Sequence, residues 1–344
     1  MRKILVLFFS FLFCSSIMAS PIKEIIFFGD SLSDDGNLFQ KLKIIPKSPP
    51  YYKGRFSNGI TWAEHVGNYL YDKSFIKYSN YCYGGATAIL HKLQDDKFIA
   101  PMLLEEELDL YFLQTPFKDR SQSAYALWIG ANDYLYDTTP DINALTNHVV
   151  NKIINSAERL LNTGGRGILM INLPDLSLTP YARNHKIVAR LHEISYIHKV
   201  KLDAAVKSLS AKYPNKVMYV DIYTLFNDIL SDPEKYNQKY NTHITETTQS
   251  CWLGTVFGVN NSVNRKALED ALKAANVDQQ NSKTILLSPA LREAYALGQN
   301  YDNGKQPCNH ADQYLFWDDL HPTAIIHKVL GRIIIDELEN TFLI

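Results

Sequence analysis

Five short apolar runs, at residues 24–28, 76–83, 125–129, 167–172 and 216–220, constrain the fold of this chain more than any other feature of its sequence. Each is too short and too β-prone for a helix and reads as a buried strand. Helical patterns separate several of them. Across 142–161, Leu145, Val149, Ile153, Ala157 and Leu160 recur at helical spacing, and Gly164-Gly165 ends the pattern. A second pattern covers 187–209, after Pro180. Strands that alternate with helices require a parallel sheet covered on both faces. The expected architecture is a three-layer α/β/α, doubly wound fold around a mainly parallel five-stranded sheet. A chain of 344 residues, 46% of them hydrophobic, can bury a core of that size.

Two stretches depart from the alternation. Arg2-Lys3, an apolar block at 4–13 and a small-residue ending at Ala19 form a signal peptide, 1–19, too short to span a bilayer. Export to the periplasm or the medium follows, with 20–344 as a single domain. Cys14 is a poor lipidation site behind bulky Phe13. Residues 232–317 are punctuated by Asp232-Pro233, Gly254, Gly258, Asn260-Asn261 and Asp302-Asn303-Gly304. Two short helices are expected inside. One, at 265–275, puts Leu268, Ala271, Leu272 and Ala275 on one face; the other is opened by Ser288-Pro289 and closed by Gly298. This stretch is an insertion with its own apolar face. A last helix follows Pro322. Export permits disulfides. Cys251 and Cys308 both lie in polar, loop-rich sequence and are expected to pair, while Cys82, in an apolar run, reads as a buried thiol. The net charge is −1 and no basic run carries interleaved aromatics, which argues against a nucleic-acid partner.

The chemistry concentrates at strand ends. The first run leads into Gly29-Asp30-Ser31-Leu32-Ser33-Asp34-Asp35-Gly36-Asn37, a tight turn that exposes Ser31 where an α/β sheet places reactive groups. A serine nucleophile needs a base, an orienting group and oxyanion donors. Asp318-Asp319-Leu320-His321-Pro322 supplies His321 as base, with Asp318 three residues before it as the orienting carboxylate and Asp319 as its competitor. Gly84-Gly85-Ala86-Thr87 and Gly130-Ala131-Asn132-Asp133 each follow a strand. A glycine N–H, the Asn132 amide and the Ser31 N–H are the candidate donors. Taken singly, each motif reads equally well as a turn or a helix cap. Tyr51, Tyr52, Arg55 and Phe56 form a wet aromatic cluster in a proline-rich loop, suited to binding or to loop packing.

Together, Gly29-Asp30-Ser31-Leu32, Gly85, Gly130-x-Asn132-Asp133 and Asp318-x-x-His321 resemble, in order, the four sequence blocks of the GDSL or SGNH hydrolase family. The wider text is similar to its secreted bacterial phospholipase A, lysophospholipase A and glycerophospholipid–cholesterol acyltransferase branch. The segments that carry this are Gly54-Arg55-Phe56-Ser57-Asn58-Gly59, Asn80-Tyr81-x-x-Gly84-Gly85-Ala86-Thr87 and Val220-Asp221-Ile222-Tyr223. The resemblance implies a cofactor-free serine esterase that hydrolyses acyl esters of (lyso)phospholipids through an acyl-enzyme, or passes the acyl group to an alcohol such as a sterol. It favours Gly85 over Gly84 and makes Gly85 and Asn132 oxyanion donors with the Ser31 N–H. Its partners would be a lipid ester, transiently a membrane surface, and a protease that activates the enzyme by cutting a lid between Cys251 and Cys308. The chain would be a monomer. The long 232–317 insertion departs from small members of the family. Three other readings compete: a sugar or small-ester esterase with the same triad, a non-catalytic binding protein on a hydrolase scaffold, and a metal-dependent hydrolase. The binding protein would lack a triad member, and none is missing. The metal enzyme, using His310, Asp312, Asp318 and His321, would leave Ser31 and Asn132 without a role.

Overall fold

A computed structural model describes residues 22–91, 100–252 and 265–340. The signal peptide expected at 1–19 and the turns expected at 254–261 lie outside them. Five parallel strands form the central sheet: β1 (Glu24–Gly29), β2 (Lys77–Asn80), β3 (Ser123–Trp128), β4 (Gly167–Ile171) and β5 (Val217–Val220). Each overlaps one of the five apolar runs. Their order is β2-β1-β3-β4-β5, with every neighbouring pair parallel. The chain leaves β1 toward one edge and returns past it to β3, so a crevice opens at the carboxyl ends of β1 and β3. Ser31 lies just beyond β1, and Asn132 just beyond β3.

The helices are α1 (Asn37–Leu42), α2 (Trp62–Ser74), α3 (Leu104–Gln114), α4 (Asn132–Leu135), α5 (Ile142–Asn162), α6 (Pro180–Asn184) and α7 (Val188–Lys212). There follow α8 (Ile222–Ser231), α9 (Pro233–Tyr240), α10 (Arg265–Ala274), α11 (Gln279–Leu287), α12 (Pro289–Asp302) and α13 (Ala324–Asn340). In α5, Leu145, Val149, Ile153, Ala157 and Leu160 are buried, and the Asp141 side chain caps the first turn by accepting the Ala144 N–H. β1, β3 and β4 are buried along nearly their whole length, as strands with both faces covered must be.

The insertion differs from its sequence reading in three ways. It contains a two-stranded parallel sheet, β6 (Glu246–Ser250) with β7 (Tyr314–Phe316), which its polar sequence did not signal. It contains two further helices, α9 and α11. And Gly298 does not end α12, which Ser288 caps and Pro289 opens as expected but which runs on to Asp302. Gly298 is a packing glycine instead: a Cβ there would lie 2.5 Å from Lys47 Cβ. Leu268, Leu272, Ile285 and Leu291 of the insertion share a core with Leu38, Leu42, Ile45 and Phe56. The insertion therefore packs on the loop region that follows Ser31. Cys251 and Cys308 are disulfide-bonded, and Cys82 is a buried free thiol. Among the described residues no helix is long and apolar enough to cross a membrane.

Candidate active site

The turn after β1 depends on a missing side chain. Gly29 has φ 152°, and a Cβ there would sit 2.2 Å from the Trp128 carbonyl oxygen on β3. Its N–H donates to the buried carboxylate of Glu107 at 2.9 Å. Asp34 then organises the turn. Its Oδ1 accepts the Gly36 and Asn37 N–H groups at 2.8 and 2.7 Å, and its Oδ2 accepts the Gly84 N–H at 2.8 Å. One buried carboxylate thus ties the Ser31 loop to the Gly84-Gly85 loop beyond β2.

β7 delivers the other half of the site. Cys251 and Trp252 donate backbone N–H bonds to Phe316 and Trp317 at 3.0 and 2.6 Å, and the disulfide staples the same neck. The Trp317 N–H donates to the His321 carbonyl at 2.7 Å and closes the turn. Inside it the Asp318 carboxylate accepts the Leu320 and His321 N–H groups at 2.8 and 2.7 Å. It also lies 2.8 and 2.9 Å from His321 Nδ1, through Oδ2 and Oδ1. His321 Nε2 lies 2.8 Å from Ser31 Oγ. With Nδ1–H donating to a carboxylate, Nε2 is left as the acceptor for the serine hydroxyl. Burial pushes Asp318 upward, but His321, the Tyr51 hydroxyl and the backbone N–H groups outweigh it and hold the carboxyl below its ordinary value. Asp319 points elsewhere, accepting from Ser250 Oγ at 2.7 Å and Asn184 Nδ2 at 3.0 Å. Of the two adjacent carboxylates, Asp318 is the one that meets the ring.

Gly85 and Asn132 line the same cleft as Ser31 and His321. Gly85 has φ 78°, a conformation that favours glycine, and a Cβ there would lie 3.1 Å from Pro101 Cγ. Among the described residues, the N–H groups of Ser31 and Gly85 donate to no protein acceptor. Asn132 Nδ2 donates one hydrogen to the Ala86 carbonyl at 2.9 Å, which sets the amide plane and leaves its second hydrogen for another acceptor. A hydroxyl on an imidazole, an imidazole on a buried carboxylate and uncommitted N–H groups beside the hydroxyl form an arrangement able to perform acyl transfer.

Residues 25–334 match the family model for the GDSL-like lipase/acylhydrolases. The chain belongs to this family. Over 315 residues it is 30% identical to the phosphatidylcholine-sterol acyltransferase of Aeromonas hydrophila, covering 90% of this chain and 88% of that one. It is 30% identical to the secreted effector protein SseJ of Salmonella typhimurium, over 62% of this chain and 50% of SseJ. The thermolabile hemolysin of Vibrio parahaemolyticus is 20% identical over 95% of this chain and 66% of its own length. A solved carbohydrate esterase is 13% identical, with a TM-score of 0.34 over 59% of this chain and 60% of that one.

Glu293 and His91 escaped the sequence reading of this GDSL-family site, and Tyr51 and Phe56 read there only as a wet aromatic cluster. Tyr51 and Phe56 are buried, not a wet cluster; Tyr51 donates its hydroxyl to Asp318 at 2.6 Å and Phe56 lies against the His321 ring. Arg55 turns away to Glu64 at 2.6 Å. Glu293 of α12 lines the cleft, accepts from the Tyr136 hydroxyl at 2.8 Å, and is pushed by burial up to about 7. His91 sits behind Asn132 on two carboxylates. Nothing in the local sequence of Glu293 or His91 marks them, and nothing in the aromatic loop shows its partners, because each contact spans distant parts of the chain. His310 and Asp312 are exposed, and among the described residues no three His, Cys, Asp or Glu side chains group as metal ligands.

Proposed function

We propose that this chain is an exported serine hydrolase that cleaves acyl esters of (lyso)phospholipids, with Ser31, His321 and Asp318 as its triad. The observation that carries the reading is the 2.8 Å contact of Ser31 Oγ with His321 Nε2 at the meeting point of two clefts. One cleft is walled by Leu32, Trp128, Leu135, Leu176, Leu178 and Phe226, an apolar lining suited to an acyl chain. The other runs under the insertion, between Tyr51, Tyr136 and Tyr181 on one side and Ala290, Leu291 and Leu297 on the other, and suits the alcohol half.

Ser31 Oγ attacks the ester carbonyl while its proton passes to His321 Nε2, and Asp318 stabilises the imidazolium. The Ser31 N–H, the Gly85 N–H and Asn132 Nδ2 receive the oxyanion. Collapse breaks the C–O bond, His321 returns the proton to the departing alcohol, and an acyl-Ser31 ester remains. Water, or a second alcohol such as a sterol, then attacks that ester with His321 as base. Similarity to an acyltransferase over most of the chain supports the transfer branch. The insertion lends its α12 wall to the alcohol cleft and leaves the turn after α12 exposed. That supports reading it as a cover that a protease opens by cutting between the paired cysteines.

The test is a chain-length profile with otherwise identical acyl esters. This reading predicts turnover that rises with acyl length and extends to lysophospholipids. Activity confined to acetyl esters, above all acetylated sugars, would assign the same triad to a small-ester esterase.

A further inference from the structure

The serine turn and the histidine turn are each held by bonds already described. The wall that carries Gly85 and Asn132 is held by something else. Asp133 follows Asn132 directly and is fully buried. Its Oδ2 accepts the Ala88 N–H at 2.8 Å and its Oδ1 accepts the Ile89 N–H at 3.1 Å. With the Asn132 bond to the Ala86 carbonyl, three hydrogen bonds lace residues 86–89 to residues 132–133. Gly85 stands one residue before that lacing.

His91 closes it. Its side chain is buried, and both ring nitrogens face carboxylates: Nε2 lies 2.9 Å from Asp133 Oδ1 and Nδ1 lies 3.1 Å from Asp137 Oδ2. A carboxylate only accepts, so the ring serves both partners when both nitrogens carry protons. Burial alone would lower the pKa of His91, but Asp133 and Asp137 outweigh it and bring it up to about 9. Asp137 has a second cation in Arg190, whose Nη2 is 3.8 Å away. For Asp133, the His91 imidazolium is the cation in direct contact. A buried carboxylate stripped of its cation must take up a proton or shift, and either would loosen the bonds to Ala88 and Ile89.

We propose that His91 is a positioning residue for the acyl-transfer step, holding Asn132 and Gly85 in register as oxyanion donors through Asp133. This rests on the reading of Ser31 as nucleophile and adds a residue outside the triad and the oxyanion hole. Displacement of a catalytic group by an ångström costs turnover on the order of a hundredfold. Because His91 acts on the transition-state donors, its loss falls on kcat rather than KM.

The experiment is a double-mutant cycle with a soluble neutral ester, using His91→Leu, His91→Gln, Asn132→Ala and the two combinations. His91→Leu is expected to lower kcat about 10- to 100-fold with KM within threefold. His91→Gln, which keeps one donor toward Asp133, should recover part of the loss. In the Asn132→Ala background the cost of His91→Leu should shrink at least about threefold from its wild-type value, because one of the two donors it positions is gone. An undiminished loss in that background would overturn the proposal, as would wild-type kcat in both His91 variants. If His91→Leu fails to melt cooperatively, the cycle is read from His91→Gln alone. Ser31→Ala is run beside it: an active Ser31→Ala would defeat the nucleophile assignment itself, while an inactive one with an additive cycle would defeat only the role of His91.

Discussion

Asp318→Asn isolates the part played by one carboxylate. In the wild type that group is buried and takes the Leu320 and His321 N–H groups, the Tyr51 hydroxyl and His321 Nδ1. Asparagine keeps the size but removes the charge and makes half of the group a donor. The ring then loses its counter-charge as it takes the serine proton. Two unit charges about 4 Å apart interact by about 4 kcal/mol at an effective dielectric of about 20. That is about three powers of ten in rate. A flipped tautomer, with Nε2 protonated and unable to accept from Ser31, pushes the loss further, toward the roughly 10⁴ seen when a triad aspartate becomes asparagine. The expected result is a kcat about 10³ to 10⁴ below wild type with KM little changed. Asp319→Asn, whose partners are Ser250 and Asn184, should lose less than about tenfold. Steady-state hydrolysis of a chromogenic ester gives both numbers, with circular dichroism to check the fold. An Asp318→Asn enzyme within tenfold of wild type, or an Asp319→Asn enzyme more impaired than it, would refute the reasoning.

Asn132→Ala should lower kcat by about 10² to 10³, the usual cost of one oxyanion donor, and a defect confined to KM would make Asn132 a ground-state binding group. Thermal stability should rise as pH falls from about 9 to about 6.5. Burial pushes Asp30 and Glu293 up to about 7, and the two carboxylates facing it bring His91 up to about 9, so the folded chain binds protons there that the unfolded chain does not. A melting temperature that falls across that window would contradict these assignments. Cutting the exposed turn at 303–305 should raise lipid-ester hydrolysis while the disulfide keeps the two pieces joined until reduction; unchanged activity would leave the insertion purely structural.

The central sheet was legible because parallel strands with both faces covered are nearly continuous apolar runs, and all five lie where those runs are. β6 was not, because Glu246-Thr247-Thr248-Gln249-Ser250 is held by its pairing with β7 rather than by an apolar face. The Cys251–Cys308 pairing was readable from the polar text around both thiols; that it staples the neck delivering Asp318 was not. Asp318 and Asp319 are neighbours with equal claims in sequence, and only their partners in space separate them. Tyr51 reaches Asp318 across 267 positions, and no local pattern carries that information. Gly298 carried the right residue with the wrong reason, since a packing glycine and a helix-ending one look alike until the neighbour, Lys47, is known.

The most direct test of the account is covalent labelling of the purified protein with a long-chain fluorophosphonate, followed by peptide mass mapping and a lysophospholipid hydrolysis assay. One adduct is expected, on Ser31, with hydrolysis lost in step with labelling and absent from the Ser31→Ala protein. An adduct on another residue, or hydrolysis that survives full labelling of Ser31, would contradict it.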